Sequence, residues 1–395
     1  MSDRPNAAIY LDNAATSFPK PECVYVAADT CLRSGGVAFG RGSHAAGDTA
    51  GQMVAVCRQR LTKLLNAESS NRIAFTFNCT DGLNLLLRGL LNDGDRVVTT
   101  TLEHNSVLRP LQQLHSERQL DVVRIGFDVT SGLVDEQTLE DQLRKKTTRL
   151  VVLNHASNVT GVVQRAQQIA RLAHSAGALI LLDAAQTVGH LPVDVQELGV
   201  DFLATAGHKG LLGPLGTGLV YVADGRENQL RPVRCGGTGT VSEQLEQPAA
   251  MPTKLESGNL NMPGLAGLNA AAEWLLQHSP ATLHASVNEH CLRLKTGLSS
   301  IPGVTLLCGS ADEPNAGVVS FTIADADSRE VATILDQSFG IQCRAGLHCA
   351  PLVHAALHTA AFGGALRFSP GPFTTQKEIT TAIDAVKTVT EAFQV

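Results

Sequence analysis

The sequence has no CxxC pair, no cysteine–histidine cluster with metal-ligand spacing and no even set of cysteines; its nine are scattered through 395 residues. No disulfide framework and no metal site are expected, and most of the cysteines read as small core hydrophobes of a reduced, cytoplasmic protein. There is no run of Lys and Arg, and the net charge of -6 points away from a nucleic-acid partner. The longest apolar stretches, such as Ala178 to Leu182, are far too short to cross a bilayer, so no membrane partner is expected. The opening MSDRPNAAIYLDNAATS lacks a basic stretch followed by an apolar one and does not read as a signal peptide. Internal repeats and low-complexity tracts are also lacking. The chain does have apolar material: 44% hydrophobic against 17% charged, enough for a large core and two domains.

Short β-rich runs alternate with helical patterns over the first two thirds. Arg72 to Phe77, Arg96 to Thr101, Val122 to Ile125, Leu150 to Asn154, Ala178 to Asp183 and Gly218 to Val222 read as strands, mostly apolar as in a sheet covered on both faces. Helical patterns such as Asn105 to His115 and Arg165 to Ala176 lie between them, which predicts an α/β fold with a mainly parallel sheet. The character changes near Glu256 to Pro263. Beyond it come a long helix from about Leu265, strands at Gly317 to Ile323 and Ala365 to Phe368, a helix at Ser328 to Asp336 and a terminal helix from Thr375. The division expected is a large domain, 16–262, and a smaller α+β domain formed by 1–15 with 263–395.

Chemistry gathers at strand ends. Arg72 to Phe77 runs into Asn78-Cys79-Thr80-Asp81-Gly82 and a helix, a turn able to offer backbone N–H groups to an anion; on its own it is also an ordinary N-cap by Thr80. The strand Ile180-Leu181-Leu182 ends in Asp183, with Gln186 close behind, and a carboxylate there faces the crevice where open α/β sheets bind ligands. Another apolar strand ends in Gly207-His208-Lys209-Gly210, where spacing alone favours a solvated lysine. Together, an amine, a buried acid, an amide donor and an anion cradle are what pyridoxal-5′-phosphate (PLP) chemistry requires: a Schiff base, a protonated pyridine, a partner for the ring oxygen and a seat for the phosphate. His104, ending the run Thr101-Leu102-Glu103-His104, adds an imidazole for the ring face.

The motifs Tyr10-Leu11-Asp12-Asn13-Ala14-Ala15-Thr16, Gly40-Arg41-Gly42-Ser43-His44, Glu103-His104, Ser157-Asn158-Val159-Thr160-Gly161, Asp183-Ala184-Ala185-Gln186, Gly207-His208-Lys209, Glu256-Ser257-Gly258, Arg344-Ala345-Gly346-Leu347-His348-Cys349-Ala350-Pro351 and Arg367-Phe368-Ser369-Pro370-Gly371 occur in that order. The set resembles the class V aminotransferase group of fold-type I PLP enzymes, and within it the group II (Suf-type) cysteine desulfurases or a desulfurase-like branch. The resemblance implies a seven-stranded, mainly parallel sheet between helices, a homodimer, and conversion of L-cysteine to L-alanine with the sulfur passed to Cys349 as a persulfide. It implies Lys209 as the Schiff-base amine, Asp183 against the ring nitrogen, Gln186 at the ring oxygen and His104 stacked on the ring and moving protons. Thr80 and His208 would hold the phosphate; Asn158 and Arg367 would bind the substrate carboxylate, and Arg344 would orient its loop.

Three positions depart from that pattern: Cys79 replaces the first of two threonines, Ala206 a Ser or Thr two residues before His208, and Asn259 a threonine that reaches the partner's phosphate. The loss of hydroxyls weakens phosphate binding by about 0.5–1.5 kcal/mol per hydrogen bond, with Thr205 or Asn259 as compensating contacts. Cys349 sits among glycine, basic residues and proline, which suits an exposed, electropositive loop, with His348 and Arg344 as candidates to activate its thiol. Other readings are another PLP reaction on the same fold (selenocysteine lyase, C–S lyase, aminotransferase or epimerase) and a non-catalytic scaffold of a sulfur-transfer complex. The sulfur acceptor is open: an iron–sulfur cluster assembly protein, a shuttle, or a thiolated cofactor or RNA.

Overall fold

A computed structural model describes residues 8–34, 45–241, 243–308 and 313–393. The motif Gly40 to His44 lies outside the described residues. The strands are β1 (Ile9–Tyr10), β2 (Ile73–Thr76), β3 (Arg96–Thr100), β4 (Asp121–Ile125), β5 (Leu150–Asn154), β6 (Leu179–Asp183), β7 (Phe202–Ala206), β8 (Gly218–Val222), β9 (Val304–Leu306), β10 (Val319–Ile323), β11 (Ile341–Gln342), β12 (Arg344–Gly346) and β13 (Ala365–Phe368). Among the described residues, seven form one sheet in the order β2-β8-β7-β6-β5-β3-β4. It is parallel from β7 to β4, and β8 runs antiparallel to both neighbours.

The apolar runs are explained by burial on both faces. Along β6, Ile180 and Leu182 enter one core while Leu179 and Leu181 enter the other. A parallel sheet under two helical layers needs this continuous hydrophobicity. The smaller unit has the antiparallel order β12-β13-β10-β9 and its own core, in which Phe321 and Phe368 meet edge to face at 5.1 Å. The N-terminal strand β1 pairs in parallel with β11. The helix Met262–His278 does not join the smaller core. Met262, Leu265, Leu268 and Leu275 join the large core beside Val24 and Val54, so a division at 262/263 cuts, after its first residue, a helix that packs with the large domain.

Parallel strands put their carboxyl ends on one edge. Neighbouring β7, β6, β5 and β3 therefore deliver Lys209, Asp183, Asn158 and His104 to the same crevice from loops far apart in sequence.

Candidate active site

A cleft of about 440 Å³ opens at that edge, with Lys209, Asp183, Gln186, His104, Asn158, His208, Thr80 and Cys79 in its walls. Burial pulls the Lys209 pKa down, and the nearby arginines Arg367 and Arg344 pull the same way, against Cys79 and Asp183. Its turn is fixed from below: the His208 carbonyl accepts hydrogen bonds from the Ser17 amide at 3.0 Å and the Thr16 hydroxyl at 3.1 Å. The N-terminal motif thus braces the lysine.

Asp183 is 3% exposed. Among the described residues both hydrogen bonds to its carboxylate end on Oδ1, from the Ala185 amide at 3.0 Å and the Cys79 thiol at 3.4 Å. Burial raises its pKa; the Ala185 amide and the Lys209 charge oppose the rise. The Cys79 thiol thus turns to the acid, while its backbone stays at the turn that opens the helix.

The turn after β2 does open a helix, with a different cap from the one expected. The helix is Cys79–Leu90, and its N-cap is Asn78, whose side chain accepts from the Asp81 amide at 2.9 Å, not Thr80. With the Gly82 amide bonded to the Asn78 carbonyl, the amides of Cys79 and Thr80 and the exposed Thr80 hydroxyl lie at the helix start. The expected compensation by Thr205 fails: it is fully buried and its hydroxyl donates to the Ala184 carbonyl at 3.1 Å. Asn259 lies in a separate cavity with Arg234 and Glu256, outside this chain's lysine cleft.

His104 has its Nδ1 occupied by the Ser106 amide at 3.0 Å and the Ser106 hydroxyl at 2.7 Å. The neutral ring therefore carries its proton on Nε2. Burial first, then the Lys209 charge, lowers its pKa to about 3, so it stays neutral. Ser106, two residues on from a singled-out histidine, was legible in the sequence only as a helix-start residue.

The residues expected to bind substrate form a chain of contacts. Arg367 donates from Nη1 to the Asn158 carbonyl at 3.0 Å and from Nη2 to Asp12 Oδ1 at 2.6 Å. Asn158 Nδ2 donates to the His348 carbonyl at 2.6 Å. Next to it, Cys349 is exposed, with a φ of +59°, and its carbonyl accepts from the Asn105 amide at 2.7 Å. Arg344 Nη2 stands 3.7 Å from the Cys349 sulfur. His348 does not supply positive charge: buried beside Arg367, its pKa falls well below the ordinary value and its Nδ1 meets His354 Nε2 at 3.3 Å. Arg344 is the cation facing the thiol. Cys343 is partly buried, with its thiol pKa pushed up to about 12 by burial. Among the described residues no cluster could hold a metal.

These residues fit PLP. Gln186 Oε1, Asn158 Oδ1 and His208 Nδ1 are buried without hydrogen-bond partners, and all three flank a cleft with an amine at one side and an acid at the other. Gln186 keeps its place through Nε2, which donates to the Ala14 carbonyl at 3.0 Å.

Residues 9–381 match the family model "Aminotransferase class-V". A "Probable cysteine desulfurase" of Methanothermobacter thermautotrophicus is 37% identical over 377 residues, covering 94% of this chain and 92% of that one. A "Cysteine desulfurase" of Shigella sonnei is 31% identical over 387 residues, 94% of this chain and 90% of its own. Among solved structures, the apo cysteine desulfurase of Thermococcus onnurineus superposes with a TM-score of 0.90 at 30% identity, covering 98% of this chain and 95% of that chain. An Escherichia coli cysteine desulfurase, solved as an S-sulfonic acid, gives 0.87 at 28% identity over 98% of this chain and 96% of that chain.

Proposed function

Since the chain belongs to the aminotransferase class-V family, a PLP-dependent group, we propose that it is a cysteine desulfurase converting L-cysteine to L-alanine, with Cys349 taking the sulfur as a persulfide. The observation that carries this reading is that Lys209 and Asp183 share one cleft while an exposed thiol, Cys349, stands beside Arg344 on a loop tied to the same wall.

PLP supplies an electron sink for charge left on the substrate Cα. Lys209 would hold it, Asp183 would pair with its ring nitrogen, and the helix start at Thr80 with His208 would hold its phosphate. Arg367 takes the substrate α-carboxylate, and the fork of its guanidinium fixes the orientation of the Cα–H bond. The Lys209 amine, desolvated and depressed in pKa, removes the Cα proton. His104, neutral and carrying its proton on Nε2, would cover the ring face as a donor. Arg344 Nη2, 3.7 Å from the Cys349 sulfur, is the cation beside the nucleophile. That sulfur attacks the substrate sulfur; the Cβ–S bond of the substrate breaks, Cβ takes a proton, alanine leaves, and the persulfide remains on Cys349. One cysteine and one thiol give one alanine and one persulfide, with no external oxidant.

The Glu256 to Asn259 segment fits a homodimer in which it reaches the partner's cofactor. Free cysteines and the absence of any helix long and apolar enough to cross a membrane, among the described residues, support a cytoplasmic setting. A sulfur-acceptor protein, such as one of iron–sulfur cluster assembly, would then unload Cys349. The test is mass spectrometry after exposure to cysteine: added sulfur on Cys349, absent in Cys349→Ala together with alanine production, is expected. Alanine release at an unchanged rate in Cys349→Ala defeats the assignment.

A further inference from the structure

The proposed carboxylate anchor already holds a carboxylate. Arg367 is 1% exposed, and its Nη2 donates to Asp12 Oδ1 at 2.6 Å while Nη1 donates to the Asn158 carbonyl at 3.0 Å. Its Nε is buried without a partner. Asp12 is held firmly in turn. Its backbone bridges Ser369, next but one to Arg367, and its carbonyl accepts from the Ala15 amide at 3.0 Å and the Tyr10 hydroxyl at 3.2 Å. Its side chain is 22% exposed, so the pair sits at the edge of the site rather than sealed within the core.

A guanidinium has five N–H donors, so a second carboxylate can join the first. It does so against the repulsion of a like charge a few ångströms away. We infer that Asp12 is a built-in competitor of the substrate carboxylate: it keeps Arg367 aimed in the empty site and lowers the affinity for every α-carboxylate that enters, so that the product amino acid leaves. Asp12 touches no reacting atom and acts through Arg367 as a positioning residue. The inference rests on Arg367 being the carboxylate anchor.

A merely structural ion pair makes the opposite prediction. Weakening it would loosen Arg367 and impair amino-acid binding. The competitor role predicts that Asp12→Asn, which keeps an acceptor oxygen but removes the charge, tightens binding.

The experiment measures the dissociation constants of L-alanine and L-alaninamide on the cofactor-loaded protein, from the change in its visible absorption and by calorimetry. Asp12→Asn is expected to bind L-alanine roughly three- to tenfold more tightly. L-alaninamide affinity stays unchanged, and the KM for L-cysteine falls without a rise in kcat. Asp12→Glu, which keeps the charge, retains the weaker wild-type affinity. Unchanged or weaker L-alanine binding in Asp12→Asn overturns the inference, as does equal tightening in Asp12→Glu, the sign of disturbed packing. If the unaltered protein binds L-alanine and L-alaninamide equally well, it is the Arg367 assignment that falls.

Discussion

The Cys79 thiol donates to Oδ1 of Asp183 at 3.4 Å, on the same oxygen that takes the Ala185 amide. A residue that sequence alone assigns to the phosphate turn thus orients the acid for the ring nitrogen. Cys79→Ala leaves Asp183 one hydrogen bond at Oδ1, a loss of about 0.5–1.5 kcal/mol. The expected result is roughly two- to tenfold weaker PLP retention on dialysis, restored by Cys79→Thr. Unaltered retention in Cys79→Ala means the thiol contributes nothing to the acid's placement.

Lys209→Ala removes the amine that joins the cofactor. The purified protein should lose its yellow colour and its desulfurase activity, while its far-ultraviolet circular dichroism stays that of the parent, because the side chain packs in no core. A Lys209→Ala protein that still shows the visible band and turns over cysteine excludes this lysine.

The large sheet was legible because each strand is an apolar run with the composition that burial on two faces demands, as β6 shows with Leu179 and Leu181 on one side and Ile180 and Leu182 on the other. Asp183 and Lys209 were legible as a pair because parallel strands leave their ends on one edge. What stayed hidden depends on side-chain direction. Nothing in the spacing says that Thr205 turns to the Ala184 carbonyl, that Cys79 turns to Asp183, or that His348 is buried and neutral while Arg344 faces the thiol. Asp12 lies in the N-terminal motif, but its partner Arg367 is 355 residues away, and the bridge from Asp12 to Ser369 brings them together.

Arg58 and Glu256 form a buried two-pronged ion pair, with Nη1 to Oε1 at 2.7 Å and Nη2 to Oε2 at 3.1 Å, and the Phe75 amide also donates to Oε1 at 2.7 Å. Arg58→Ala strands a buried carboxylate and should destabilise the fold by about 3–5 kcal/mol in denaturant unfolding. The double replacement Arg58→Met with Glu256→Leu should lose much less. Equal losses in the two proteins would mean that the arginine's packing over the Phe75 ring, at 4.4 Å, matters more than its charge.

Glu103 provides a pH signature. It is fully buried, and its Oε1 accepts from the Thr100 hydroxyl at 2.8 Å and the Asn154 amide at 3.0 Å. Its Oε2 and the Thr99 hydroxyl are both buried without partners, a pairing that a proton on Oε2 completes. Burial first, then the Asp183 charge, raises its pKa to about 8 from 4.5. The folded protein thus binds this proton more tightly than the unfolded chain, so the contribution to stability is complete below about pH 4.5 and declines as pH rises to about 8. Glu103→Gln keeps the shape and cannot ionise. The difference in unfolding free energy between the parent and Glu103→Gln should therefore move in the variant's favour from pH 5 to pH 8, by a few kcal/mol at most, since the solvent response around the site reduces what the full shift implies. The histidines whose folded pKa lies near 4, His155, His190, His208 and His354, contribute equally to both proteins and cancel in the difference. A pH-independent difference would mean that Glu103 is ionised in the folded protein at neutral pH, and that the carboxylates of Glu103 and Asp183 are both carried as charges beneath the ring site.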